Sequence, residues 1–348
     1  MVFASIALFA QGIDFQDLTL QQACAKAKAQ NKYVFIDCYT DWCGPCRMMS
    51  DQIFPMKEIG DYFNPKFVSI KANAEKGEEG LAIKKQFGIT AYPTFVILDG
   101  DGNLIHMFAG GVLSLAFIDK VEESFNPELA FGQLQKRYNA GERNKKLTAN
   151  YLKALQNTYT TNTTPLIEEF AKSISPEELI CDECLFLFDE HARLGSPREK
   201  FLTENVEKFR NTLGREKIDQ VLKKKYEAYY SSILGKQLVI TTDDVQQVNK
   251  QLEALNLNNA NNLPLYQAAV STYLTKEGGN KLFEMIKSTS GNITKDEMDI
   301  FLYFAVPSVN EFWTPEQSDQ ILALVNRDDI RTRITNTLNR QKQASHPK

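Results

Sequence analysis

Cysteine is the residue type most able to do chemistry in this sequence, and its six copies are unevenly placed. Cys43 and Cys46 make one C-x-x-C spacing, Cys181 and Cys184 a second, and Cys24 and Cys38 stand alone. The first pair follows a near-continuous apolar run, Tyr33 to Tyr39, and opens a stretch with helical spacing. A cysteine at a helix start sits among unpaired backbone N–H groups at the positive end of the dipole, and both favour a thiolate. Cys43 is therefore expected to ionise more readily than a free thiol, and the thiolate is the form that attacks a disulfide. Cys46, one turn further in, is close enough to close a disulfide with Cys43, and Pro45 is tolerated in that first turn. A C-x-x-C by itself is also half of a zinc site, or two buried thiols, so its surroundings must decide.

The second pair lacks those surroundings. Ser175-Pro176-Glu177-Glu178 reads as a helix start, with a capping hydroxyl, a proline at the first position and acids in the first turn. That start would place Cys181 about six residues into its helix, beyond the N-terminal field. Residues three apart on a helix are neighbours, so an accessory disulfide or a shared metal is conceivable there. His191, the nearest third ligand, would lie about 10 Å along the helix from Cys184, too far to share one ion. With Leu185, Leu187 and Phe188 around it, the pair reads best as buried thiols. Cys24 and Cys38 read as small core residues. His106 falls mid-strand and His346 in the tail, neither at metal or triad spacing. Lys223-Lys224-Lys225 reads as the solvated face of a long helix, with Glu216, Asp219 and Glu227 nearby. No phosphate-binding loop or metalloprotease motif is present, and neither metal nor cofactor is expected.

The elements that position Cys43 alternate strand and helix. Leu18 to Gln30 reads as an amphipathic helix, Tyr33–Tyr39 as a strand buried on both faces, and Cys43 to about Phe54 as a helix. A strand at Phe67–Ala72, a helix at Gly80–Phe87 and strands at Thr94–Leu98 and Leu104–Phe108 follow. Asp99-Gly100-Asp101-Gly102 turns the last two into a hairpin, and Ser114–Ser124 closes the segment as a helix. This order describes a mixed sheet flanked by helices. After Asn126-Pro127 glycines thin out and helix follows helix, with further proline-led starts at Ser196 and Thr314. Such helix pairs suggest an α-solenoid, although no repeat period emerges.

Trp42-Cys43-Gly44-Pro45-Cys46 resembles the active-site motif of the thioredoxin family, and the likeness extends over roughly residues 15–126. Asp37 stands six residues before Cys43, where the family has a buried acid. Lys71-Ala72-Asn73-Ala74-Glu75 is similar to its lysine-led stretch. Gly88-Ile89-Thr90-Ala91-Tyr92-Pro93-Thr94 looks like the segment ending in its cis-proline, and Gly110-Gly111 also fits. The resemblance implies that Cys43 attacks, Cys46 resolves, and the two form the redox-active disulfide. It further implies that Asp37 takes the proton of Cys46, that Lys71 tunes Asp37 by charge, and that Trp42, Gly44, Pro45, Tyr92 and Pro93 meet the substrate. Three positions depart from the pattern. Arg47 keeps the charge of the usual lysine, Tyr92 replaces a smaller aliphatic residue, and Cys38 points to the opposite sheet face from Asp37.

A net charge of −4 lacks the basic excess that phosphate-backbone binding needs, and nucleic acid is not an expected partner. No stretch approaches the length of a membrane-spanning helix. Val2 to Ala10 is almost wholly apolar, and Ala10 and Gly12 place small residues at a cleavage-like site, although the basic n-region is missing. Residues 1–12 are thus expected to be the end of a secretory signal, 13–126 a thioredoxin-like α/β domain, and 127–348 a helical domain. Disulfides persist outside the cytoplasm, and Gly44-Pro45 between the cysteines resembles the reducing members of the family, so the resemblance implies a periplasmic or otherwise exported thiol–disulfide oxidoreductase that reduces protein disulfides with electrons from an unidentified donor. The alternatives are an oxidase or isomerase of exported proteins, a partner-binding helical module with a secondary redox site, and a cytoplasmic location.

Overall fold

The computed structural model describes residues 12–112, 115–189, 193–257 and 262–345; most of the expected signal segment, His191 and His346 lie outside them. The chain divides into two compact units, the first running to Pro176 and the second from Glu177.

In the first unit the apolar run becomes β1 (Tyr33–Tyr39), every residue of which is buried except the two tyrosines at its ends. Both edges of this strand are also paired. β1 pairs in parallel with β2 (Phe67–Asn73) and antiparallel with β3 (Thr94–Leu98), while β4 (Leu104–Ala109) completes the order β2-β1-β3-β4. The β3–β4 turn is held by Asp99, whose carboxylate accepts the N–H groups of Asp101 and Asn103 at 2.9 and 2.8 Å.

Around this sheet lie α1 (Leu20–Gln30), started by a Thr19–Gln22 capping box, α2 (Gly44–Met48), α3 (Lys57–Lys66), α4 (Glu78–Phe87) and α5 (Ala116–Glu122). The helix expected over Cys43–Phe54 is α2 extended by a π turn over Met49–Ile53. The sequence reading missed α3, because Gly60 and Pro65 interrupt its pattern. Gly60 is needed there for contact. A Cβ on it would lie 2.2 Å from the Gly12 carbonyl oxygen, which also accepts from Asn64 Nδ2 at 3.0 Å. Gly12 is therefore packed into the domain. The core beneath β1 is aromatic, with Phe35 stacked on Phe95 at 5.7 Å and Phe63 on Phe117 at 5.5 Å. Fully burying such a ring contributes about 2 kcal/mol.

The first unit continues past residue 126 into α6 (Phe131–Asn139), α7 (Lys145–Gln156) and α8 (Thr164–Lys172). α6 lies so close on β4 that a Cβ on Gly132 would be 2.1 Å from the Leu104 carbonyl oxygen. His106, buried in β4, accepts the Phe131 N–H on Nδ1 at 3.0 Å. A histidine that sequence spacing left without a role thus ties the sheet to α6. Burial, helped by Lys120, pushes its pKa down to about 4 and keeps it neutral.

The second unit is helical throughout its described residues, from α9 (Leu185–Asp189), α10 (Pro197–Glu204) and α11 (Val206–Leu213) through α12 (Arg215–Leu234), α13 (Thr242–Ala254) and α14 (Leu263–Thr275) to α15 (Gly279–Thr289), α16 (Lys295–Val309), α17 (Pro315–Leu322) and α18 (Asp328–Ser345). Packing converges on α12, which touches α9, α11, α14 and α16, whereas in a stack of repeats each would touch only its neighbours. Two expectations fail here. The helix start at Ser175 is not used: Cys181 is extended at φ −150° and ψ 162°, and a single 3-10 turn, Asp182–Cys184, leads into α9. A cap is a local preference, and burying Leu185–Phe188 outweighs it. Of Lys223-Lys224-Lys225, expected as a solvated face, only Lys224 is exposed. Lys223 and Lys225 are buried, because α12 is surrounded by helices. Their charges find partners there: Lys223 pairs with Glu297 and Glu227, and Lys225 donates to the Asp189 carbonyl at 2.9 Å.

Candidate redox site

β1 ends at Tyr39, and four residues later Cys43 caps α2. The Cys46 N–H donates to Cys43 Sγ at 3.1 Å, the cap contact that would hold a thiolate in the reduced chain. Pro45 occupies the first turn, where its missing N–H costs nothing. Cys43 and Cys46 are joined in a disulfide with their Cα atoms 5.3 Å apart. They are only 2% and 4% exposed, so little of either residue is open to attack. Gly44 leaves the space beside it open, and Gly111, after β4, lies against Pro45 and Met48.

Asp37 lies on β1, 2% exposed, and one of its oxygens, Oδ1, has no hydrogen-bond partner among the described residues. Burial pushes its pKa up to about 7, although Lys71 opposes the shift. The β1–β2 register sets Asp37 directly beside Lys71, whose Nζ lies 3.8 Å from Oδ2. Lys71 is aimed by Ser50, whose hydroxyl accepts from Nζ at 2.8 Å, and by the faces of Phe15 and Phe54. The sequence reading missed Ser50; its seven-residue offset from Cys43, two helical turns on the same face, was the available signal. Cys38, next on β1, is buried with its thiol pushed well up by burial and then by Asp37, as a core residue should be.

The approach to Cys43 is aromatic. Trp42 is 66% exposed and meets Tyr92 edge-on at 5.9 Å. Its Nε1–H donates to Glu75 at 2.8 Å, while Asn73 Nδ2 donates to Asp41 at 2.8 Å, so the end of β2 holds the loop before Cys43. The roles of Glu75 and Asn73 were not legible in the sequence. Tyr92–Pro93 is a cis peptide, and the Pro93 carbonyl accepts the Gly110 N–H at 2.8 Å. The structure thus gathers Trp42, Cys43, Gly44, Pro45, Cys46, Tyr92 and Pro93 at one end of the sheet, with Asp37 and Lys71 on adjoining strands.

The other cysteines form no disulfide. Cys24 is part-buried with its thiol pushed up by burial, Cys184 is fully buried, and neither Cys181 nor Cys184 is in a disulfide. Among the described residues no group of three or more His, Cys, Asp or Glu side chains could hold a metal, and no helix is long and apolar enough to cross a membrane.

A mixed sheet with a helix-capping C-x-x-C after one strand and a cis-proline opening its neighbour defines a thioredoxin-like domain. A family described as thioredoxin-like domain matches residues 20–124 and does not extend into the helical region. Thioredoxin 1 of a Nostoc species is 32% identical over 79 residues, 23% of this chain and 67% of that protein. Thioredoxin-T of Drosophila melanogaster is 33% identical over 82 residues, 24% of this chain but 48% of its own length. This chain spans 25% of Thioredoxin-like protein 1 of Schizosaccharomyces pombe, so several curated relatives are matched over half their length or less. Among solved structures, oxidised mitochondrial thioredoxin 3 of Saccharomyces cerevisiae is 32% identical, covering 28% of this chain and 85% of its own, with a TM-score of 0.23. Through its N-terminal domain the chain belongs to the thioredoxin family.

Proposed function

We propose that this chain is a thiol–disulfide oxidoreductase that reduces disulfides of exported proteins. The observation that carries the reading is the Cys43–Cys46 pair at the cap of α2, together with Asp37, buried on the strand that leads to it and pushed up to about 7. In the reduced chain the Cys43 thiolate attacks one substrate sulfur and the other leaves as a thiolate that takes up a proton. Cys46 then gives its proton to Asp37 and attacks Cys43 Sγ, which releases the second substrate sulfur. Two electrons pass from the cysteine pair to the substrate, and the chain is left with its disulfide closed. A group with a pKa near the working pH suits that proton transfer best. Export is supported by the apolar Val2–Ala10 run.

The test is insulin reduction driven by dithiothreitol. Cys43→Ser should abolish the catalysed rate, Cys46→Ala should accumulate mixed disulfides at Cys43 that mass spectrometry identifies, and Cys181→Ser should leave turnover intact. Catalysis that survives Cys43→Ser would refute the assignment. The reduction potential, set against the glutathione couple, separates reductase from oxidase.

A further inference from the structure

The rim of the redox site extends beyond the residues that match the family. The segment after α7 returns to the active-site end of the β3–β4 hairpin. There the Ala109 N–H donates to the Asn157 carbonyl at 2.7 Å, and the Thr90 hydroxyl donates to the Tyr159 carbonyl at 2.6 Å. Both anchors adjoin the cis peptide. Ala109 pairs with Thr94, the residue after Pro93, and Thr90 stands two residues before Tyr92, a span of at most about 7 Å. Tyr159 holds φ 54°, the left-handed region that bulky side chains rarely enter. It is 62% exposed, so burial of its ring does not account for that conformation. The hydrogen bonds at Asn157 and at the Tyr159 carbonyl hold this backbone beside the loop that carries Tyr92 and Pro93, and the tyrosine ring is left exposed there.

We infer that Tyr159 is a specificity residue of the redox site, which with Trp42 and Tyr92 forms an aromatic rim for an extended segment of a protein disulfide bearing an aromatic or large apolar residue beside the reacting cysteine. The inference rests on the disulfide-exchange reading above. The occupant follows from the reaction, because a partner must thread its disulfide past Trp42 and Tyr92–Pro93 to meet Cys43. Rigid aromatic side chains give large contact area for little lost rotamer freedom, and an apolar side chain is what such a rim removes from water. A small disulfide reaches Cys43 without spanning the distance to Tyr159.

The experiment uses the pre-reduced full-length chain, mixed with excess insulin or with 2-hydroxyethyl disulfide, and follows oxidation of Cys43 and Cys46 by acid quench and alkylation. Tyr159→Gly keeps the left-handed backbone while removing the ring, and Tyr159→Phe keeps the ring. For Tyr159→Gly the half-saturating insulin concentration should rise about tenfold, about 1.4 kcal/mol, with the limiting rate and the 2-hydroxyethyl disulfide rate unchanged. Tyr159→Phe should behave as wild type. Unchanged insulin saturation, or equal losses on both disulfides, would overturn the inference while leaving the redox reading in place. A wild-type chain oxidised by neither disulfide would overturn the redox reading and this inference with it.

Discussion

Replacing Asp37 with asparagine separates the two things the carboxylate is asked to do. The folded chain holds this proton up to about pH 7, against 3.8 for an ordinary aspartate, because burial penalises the charge. Tighter proton binding in the folded state means that the group favours folding fully below about pH 4, and that this contribution is lost as pH rises through about 7. At about 1.4 kcal/mol per pH unit, the ionised carboxylate costs the fold about 4 kcal/mol by pH 9. Asparagine keeps the shape and removes the titration. It also places a polar amide where Oδ1 already lacks a partner, at a cost of about 1–3 kcal/mol that does not vary with pH. Relative to wild type, the variant should therefore gain about 3 kcal/mol between pH 5 and pH 9. Urea unfolding at the two pH values reads this, followed by a methanethiosulfonate pulse on Cys38, which is buried in the same strand. The second consequence is kinetic. Resolution of the mixed disulfide by Cys46 should slow by about a hundredfold near pH 7, and less in alkali where Cys46 ionises unaided, while the first attack by Cys43 is nearly unaffected. Equal resolution rates across pH 6–9, or a stability difference that does not move with pH, would refute the assignment of Asp37 as the proton acceptor.

Two further outcomes test the packing of the first unit. His106 is held near pKa 4 by burial, below its ordinary 6.5, so its contribution to stability is present above about pH 6.5 and lost as pH falls through about 4, at most about 3 kcal/mol. His106→Gln should flatten that acid loss, measured by urea unfolding at pH 7 and pH 4, and an unaltered pH dependence would contradict it. Gly132→Ala would put a Cβ 2.1 Å from the Leu104 carbonyl oxygen, so α6 must shift from β4 at a cost of about 1–3 kcal/mol. A melting temperature equal to wild type would show that α6 is not seated there.

What the sequence by itself determined is the reacting centre. Trp42, Cys43, Gly44, Pro45 and Cys46 are contiguous, the strand before them announces itself as an apolar run, and a cysteine at a helix cap carries its activation in its local position. Asp37 and Pro93 were picked out only because the segments around them resemble those of the thioredoxin family. The packing around the centre was decided only by the tertiary structure. Ser50 on Lys71, Glu75 on Trp42, the Phe131 N–H on His106 and the Thr90 hydroxyl on Tyr159 all join residues at least 21 apart in the chain. Such contacts leave no periodicity to read. Lys223 and Lys225 of α12 show the same limit from the other side. Their charges suggested solvent, but burial depends on which helices surround α12, and the partner of Lys223 lies 74 residues away at Glu297. Local patterning sets what a segment prefers to be. Whether a charge is wet or buried, and what lies beside a thiol, follows from which distant segments the folded core brings against it.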